Sequence, residues 1–406
     1  MKIIKYIFFF VCLYIYIYNP ILQIFGFGII KLLLLLAFVY LFITKKILVV
    51  FMNFKKELLI LILIVLFLIP TTLLRGDATA ETVIYAHIVW FLEGIFIPVF
   101  FLYIFNDIFM RSNLNLLIIF ASTFAALITL FLILNPNLNI IVRDEIIVDT
   151  LDMSVSEWDF RGFSFAESSS FIYGATQGLI ICICFYMVSK SVFYILPVIL
   201  LFISILFNAR IGFAVVIMGV ILMLAFRKIN LFSFFIVIML IFMVPYLNFS
   251  NFINNNDRSL EWGFSFFTDT FNLIFGLDSS GVSNYSILSD TMVFLPEKEI
   301  NILFGEGRSV FDALGKDSDI GYINQIFIGG IFYLGLLFFY LGFMVKRFIS
   351  YSENYFFALL FMLTIIICNI KGSAFFISTG FFRIFTLYYV YSIYNKIIFN
   401  SELKKF

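Results

Sequence analysis

Apolar runs as long as a bilayer is thick recur along most of the chain, and no other feature limits its fold so sharply. A helix needs about 17 to 25 apolar residues to cross the hydrocarbon core, and residues 25–44, 58–74, 82–105 and 114–134 supply four such runs in close succession. Of 406 residues 63% are apolar and 13% charged, with a mean hydropathy of +1.10, more apolar surface than a water-soluble core can hide. The chain therefore reads as an integral membrane protein. Backbone polar groups in lipid must be satisfied inside the protein, which a helix does segment by segment, so the expected class is all-α, with residues 1–406 forming a single polytopic membrane domain.

The runs divide into about twelve transmembrane helices, at residues 6–18, 25–44, 58–74, 82–105, 114–134, 170–188, 192–207, 211–226, 230–247, 321–345, 354–370 and 374–396. With the N-terminus inside, fifteen of the 26 basic residues face the cytoplasm and nine face outward, although the outward segments are longer. That asymmetry is the positive-inside pattern, and an even number of spans leaves both termini inside. The basic, apolar N-terminus lacks a small-residue cleavage site and reads as a retained first helix.

Two outward segments exceed a turn: residues 135–169, and the large loop 248–320 between spans nine and ten. The second mixes Asn-rich stretches with apolar patches that suit short helices on the membrane surface. Cys12, Cys182, Cys184 and Cys368 all lie in apolar runs without metal-site spacing and read as packing residues. No nucleotide-binding loop, zinc motif, coiled coil or internal repeat is evident, so no metal, cofactor or nucleic acid is expected.

The informative charges are on the outward side, where six of the nine basic residues are arginine while lysine dominates inside. A guanidinium grips phosphate or carboxylate bidentately and stays charged, which points to an anionic ligand; snorkelling or pairing with nearby acids is the plain alternative. In RGFSFAESSSF, residues 161–171, Arg161 precedes Glu167 and a serine run suited to capping the helix that follows. Farther along, Ser170, Tyr173 and Gln177 form a polar stripe, equally suited to lining a cavity or to bonding a neighbouring helix. Arg210 sits in FNARIGFA with nothing near in sequence to neutralise it, and within residues 304–325 Arg308 lies on a glycine-flanked loop while Asp317 and Asp319 stand at the mouth of span ten. Three charges fall within spans, Lys31, Glu93 and Arg383, where an ionisable group is a functional hypothesis by default. Lys31 and the surroundings of His87 are the partners considered for Glu93; His87 itself, without catalytic company, reads as structural.

On these segments, residues 161–171, 208–212 and 304–336, the chain resembles the bacterial O-antigen polymerases, the Wzy family, and more distantly the O-antigen ligases. The resemblance implies a GT-C-like architecture in the bacterial inner membrane. It also implies transfer of a growing oligosaccharide from undecaprenyl pyrophosphate onto the next lipid-linked repeat, at the periplasmic face and without a cofactor. A chain-length regulator is the implied protein partner. Arg161, Arg210, Arg308 and Arg383 would bind the pyrophosphate, with Glu167 or Asp319 as the base. A ligase is expected to carry a histidine in the late outer loop; this loop has none, which favours a polymerase. A ligase, a flippase of lipid-linked sugars and a purely structural membrane protein remain the alternatives.

Overall fold

A computed structural model describes residues 2–75, 78–146, 164–167, 171–188, 190–208, 211–228, 292–310 and 318–403. They pack as two compact units, residues 1–31 with 107–281, and residues 32–106 with 282–406. Most of the two long outward segments, and the expected span at 230–247, lie outside the described residues.

In the first unit, α1 (Lys2–Tyr18) leads into a small antiparallel hairpin, β1 (Ile21–Leu22) with β2 (Phe27–Gly28), and α2 (Ile30–Ile43) begins directly after it. The expected span at 25–44 thus starts later, because Asn19 turns the chain in the left-handed region at φ 43° and its side chain accepts from the Ile30 amide. The rest of the unit holds α7 (Asn106–Arg111), α8 (Leu114–Ile133), α9 (Pro136–Ile141), α10 (Phe171–Val188), α11 (Ile195–Leu206) and α12 (Ile211–Ala225). α10 and α12 touch backbone to backbone. A Cβ on Gly178 would collide with the Gly212 carbonyl, and one on Gly212 with that of Gly174, so the Gly174-x-x-x-Gly178 spacing is what brings these helices together.

The second unit takes most of α2, then α3 (Ile47–Asn53), α4 (Lys55–Arg75) and α5 (Ala78–Phe91). A π-helical turn at Leu92–Phe96 continues α5 into α6 (Ile97–Ile104), and α13 (Glu299–Phe304), α14 (Gly321–Ser352), α15 (Tyr355–Cys368) and α16 (Gly380–Leu403) complete it. α14 and α15 are antiparallel: Tyr322, near the start of α14, donates to the Ile366 carbonyl near the end of α15. α16 runs parallel to α14, since Lys396 donates to the Ser350 carbonyl.

The long α14 is broken at Gly330, whose φ of 73° only glycine adopts readily. The break frees the carbonyls of Phe327 and Ile328, and the Glu306 and Gly307 amides donate to them at 2.5 and 3.2 Å. The glycine-rich segment after α13 is thereby a backbone patch on an interrupted helix, the kind of repair an apolar interior demands.

Wherever they are described, the apolar runs are helical over most of their length. Among the described residues four helices are long and apolar enough to cross a membrane, Glu81–Ile104, Leu114–Ile133, Phe171–Val188 and Gly321–Ser352, or five if α2 and α3 count as one broken span. Four shorter apolar helices accompany them among the described residues. The protein is an α-helical membrane protein.

Candidate active site

The richest polar architecture is in the second unit, around residues 369–379, which join α15 to α16 without helical backbone. The sequence places these residues partly in a span starting at 374; the chain instead stays irregular until Gly380, and Ala374, Phe375 and Phe376 are nonetheless buried. Irregular backbone in an apolar interior persists only where side chains satisfy it. Asn369 and Gln325 exchange two amide hydrogen bonds of 3.0 Å, and the Asn369 oxygen also accepts from the Ala374 amide at 2.8 Å. Phe376 takes a left-handed conformation, φ 51°, and its carbonyl meets His87 Nδ1 at 3.1 Å. A carbonyl only accepts, so Nδ1 carries the hydrogen, and Nε2 shares a hydrogen bond of 2.6 Å with the Tyr333 hydroxyl. One imidazole therefore ties α5, α14 and the irregular segment together.

Just beyond His87 the π-helical turn presents Glu93 to the same segment. The extra residue in such a turn re-aims a side chain and often marks a functional position. Ser378 donates its hydroxyl to Glu93 Oε2 and accepts from Arg383 Nε at 2.9 Å, while Arg383 Nη2 donates to the Ser378 carbonyl. Glu93 and Arg383 are both 2% exposed. Lys31 lies 6.0 Å over the Phe27 ring in the first unit, and Ser378 is one partner of Glu93 within its own unit.

Toward the start of α14 the charges are more open. Arg308 offers its Nε and Nη2 edge to Glu306, at 2.8 and 2.7 Å, and buried Glu306 also accepts from the Asn301 amide group at 3.0 Å. Asp319 pairs with Lys371 at 2.6 Å, both half-exposed. Asn324 links Ser309, the Val310 amide and Ser373 across this rim.

In the first unit Glu167 accepts from Asn19 Nδ2 at 2.7 Å, and its own amide donates to the Tyr18 carbonyl, so the carboxylate is pinned where α1 meets the hairpin. Of the polar stripe, Ser170 lies outside the described residues, while Tyr173 and Gln177 on α10 are buried and neutral: the Tyr173 hydroxyl bonds Thr129 at 2.7 Å and accepts from Ser204 at 3.2 Å. Ser122 and Gln177 flank the Tyr18 hydroxyl.

Arg308, Arg383 and Asp319 thus belong to one unit, each with its own partner, and Glu167 belongs to the other. Arg161 and Arg210 lie outside the described residues. Sequence reasoning missed Ser378, the Asn369–Gln325 pair and a second buried ion cluster. There Glu57 accepts from both Arg347 and Tyr389, and Arg347 also donates to the Asn53 carbonyl at 2.7 Å. The available signal for that cluster was Glu57 itself, an acid directly after Lys55 and Lys56 at the mouth of an apolar run. Among the described residues no group of three or more His, Cys, Asp or Glu side chains is placed to hold a metal ion.

Fold and site define an α-helical membrane protein with several separate clusters of ion-paired and amide-paired side chains in one of its units. No known protein family, curated protein or solved structure matches the chain.

Proposed function

We propose that the chain is an O-antigen polymerase of the bacterial inner membrane, with about twelve spans, both termini cytoplasmic and its long loops in the periplasm. It moves a growing oligosaccharide from undecaprenyl pyrophosphate onto the next lipid-linked repeat. The observation that carries this reading is Arg383, a guanidinium buried in an apolar helix beside Ser378 and Glu93, in the same unit as Arg308 and Asp319. Buried arginine next to interrupted helices is costly unless it serves an anion or a partner. A departing pyrophosphate needs fixed cations and no nucleotide, and the acceptor hydroxyl needs a base.

Arg161, Arg210, Arg308 and Arg383 are the proposed pyrophosphate ligands. Asp319 is engaged by Lys371, and Glu167 by Asn19, so either base must exchange its present partner for the acceptor hydroxyl. The partners are the lipid-linked oligosaccharide, the bilayer and a chain-length regulator. One observation favours a flippase of the same lipid-linked sugars: the Glu57–Arg347 cluster lies toward the opposite end of α14 from Asp319.

Purified protein incubated with lipid-linked repeat units should build a ladder, and Arg210→Ala should abolish long polymer while membrane insertion persists. Normal polymer length in that variant removes Arg210 from the mechanism. In cells, loss of the protein should leave single repeats on the lipid core; a bare core with stranded polymer identifies a ligase instead.

A further inference from the structure

The end of the second unit that holds Asn53 and Arg347 gathers cations around one short apolar helix. α3 breaks from α2 at 101° and reads ILVVFMN, with lysine pairs on both sides: Lys45 and Lys46 before it, Lys55 and Lys56 after it. Val50 is buried against the unit, whereas Leu48 and Met52 are 67% and 73% exposed. The surrounding cations are held in place. The Lys46 ammonium lies 3.5 Å over the Tyr103 ring, Arg347 donates to the Asn53 carbonyl, and Lys396 donates to the Ser350 carbonyl while lying 5.3 Å over the Tyr351 ring. Among the described residues Lys346 adds to this end, and Glu57, already bonded to Arg347, is one of its acids.

A helix turned away from its neighbour, exposing leucine and methionine between lysine pairs, has the make-up of one lying in the headgroup plane of a bilayer. We infer that α3 and its two lysine pairs form a binding site for anionic phospholipid. Leu48 and Met52 enter the acyl boundary, and Lys45, Lys46, Lys55 and Lys56 donate to the headgroup phosphate as compact point charges. A zwitterionic lipid offers the same phosphate but carries its own ammonium, so the excess of positive side chains discriminates against it. This inference rests on membrane residence alone and is independent of the polymerase reading.

Full-length protein in nanodiscs of phosphatidylcholine mixed with phosphatidylglycerol, partly delipidated and weighed by native mass spectrometry, tests it. Phosphatidylglycerol should be retained roughly tenfold over phosphatidylcholine, and the preference should collapse near 1 M salt, where the screening length is about 3 Å. K45Q/K46Q/K55Q/K56Q should bring the two lipids to near-equal retention, arginine at the same four positions should preserve the preference, and K190Q/K228Q, a basic pair of the other unit, should leave it unchanged. Leu48→Gln with Met52→Gln should loosen lipid overall without changing which headgroup is preferred. Equal retention of both lipids by the native chain, or an equal loss of preference in K190Q/K228Q, overturns the site.

Discussion

The two units bury different chemistry. The first seals its helices with glycine contacts and neutral hydroxyls: Gly174 and Gly178 against Gly212, and Tyr173 between Thr129 and Ser204. Among the described residues it buries no Asp, Glu, His, Lys or Arg, whereas the second buries Glu57, His87, Glu93, Glu306 and Arg383, each at most 7% exposed. Neutral hydrogen bonds between membrane helices contribute little each and tolerate loss, averaging about 0.6 kcal/mol. A buried ion is different in kind, because removing its partner leaves a charge that the apolar interior cannot solvate. The first unit therefore looks built by packing, and the second organised around charges whose retention calls for a functional reason.

Substitutions can break or sharpen that contrast. Arg347→Ala leaves Glu57 buried without its cation and should cost about 3 to 5 kcal/mol in thermal or denaturant unfolding in detergent; replacing Glu57 and Arg347 together with leucine should recover much of the loss, and additive costs would dissolve the pair. In the first unit the largest effect should come from bulk: Gly178→Leu drives a side chain into the Gly212 backbone and should cost about 1 to 3 kcal/mol. Tyr173→Phe should cost less, about 0.6 to 1.7 kcal/mol, because Thr129 and Ser204 lose one neutral partner. A cost as large as that of Arg347→Ala would erase the distinction between the units.

The smallest effect should come from a surface pair. Lys5 bonds Asp107 and, chiefly through that hydrogen bond, holds its carboxyl below the ordinary value of 3.8. A depressed carboxyl pKa stabilises the fold above the unfolded value and loses that contribution as pH falls through the folded one. Unfolding temperature followed from neutral pH to below about pH 4 should show a slight acid-side decline that Asp107→Asn removes, and a steep decline there would assign this exposed pair more weight than its exposure allows.

Helix positions were largely legible in the chain, since an apolar run in lipid can satisfy its backbone locally. The departures were local failures of that rule: Asn19 and the hairpin delay α2, and Asn369 holds an irregular segment that delays α16. Candidate charges were legible as types but not as partners. Glu93 offered no sequence cue toward Ser378, 285 residues away, and the acid beside Arg308 was visible only as a neighbour in a glycine turn.

Hydropathy by itself determined that this is a helical membrane protein and where most of its helices run, because desolvating the backbone is a cost each segment meets alone. Only the tertiary structure decided which charges neutralise which, that Glu57 meets Arg347 across 290 residues and that Gly330 can break α14 because the Glu306 and Gly307 amides cover the freed carbonyls. Electrostatic pairing depends on distances of a few ångströms between segments, and that information exists only once the helices have packed.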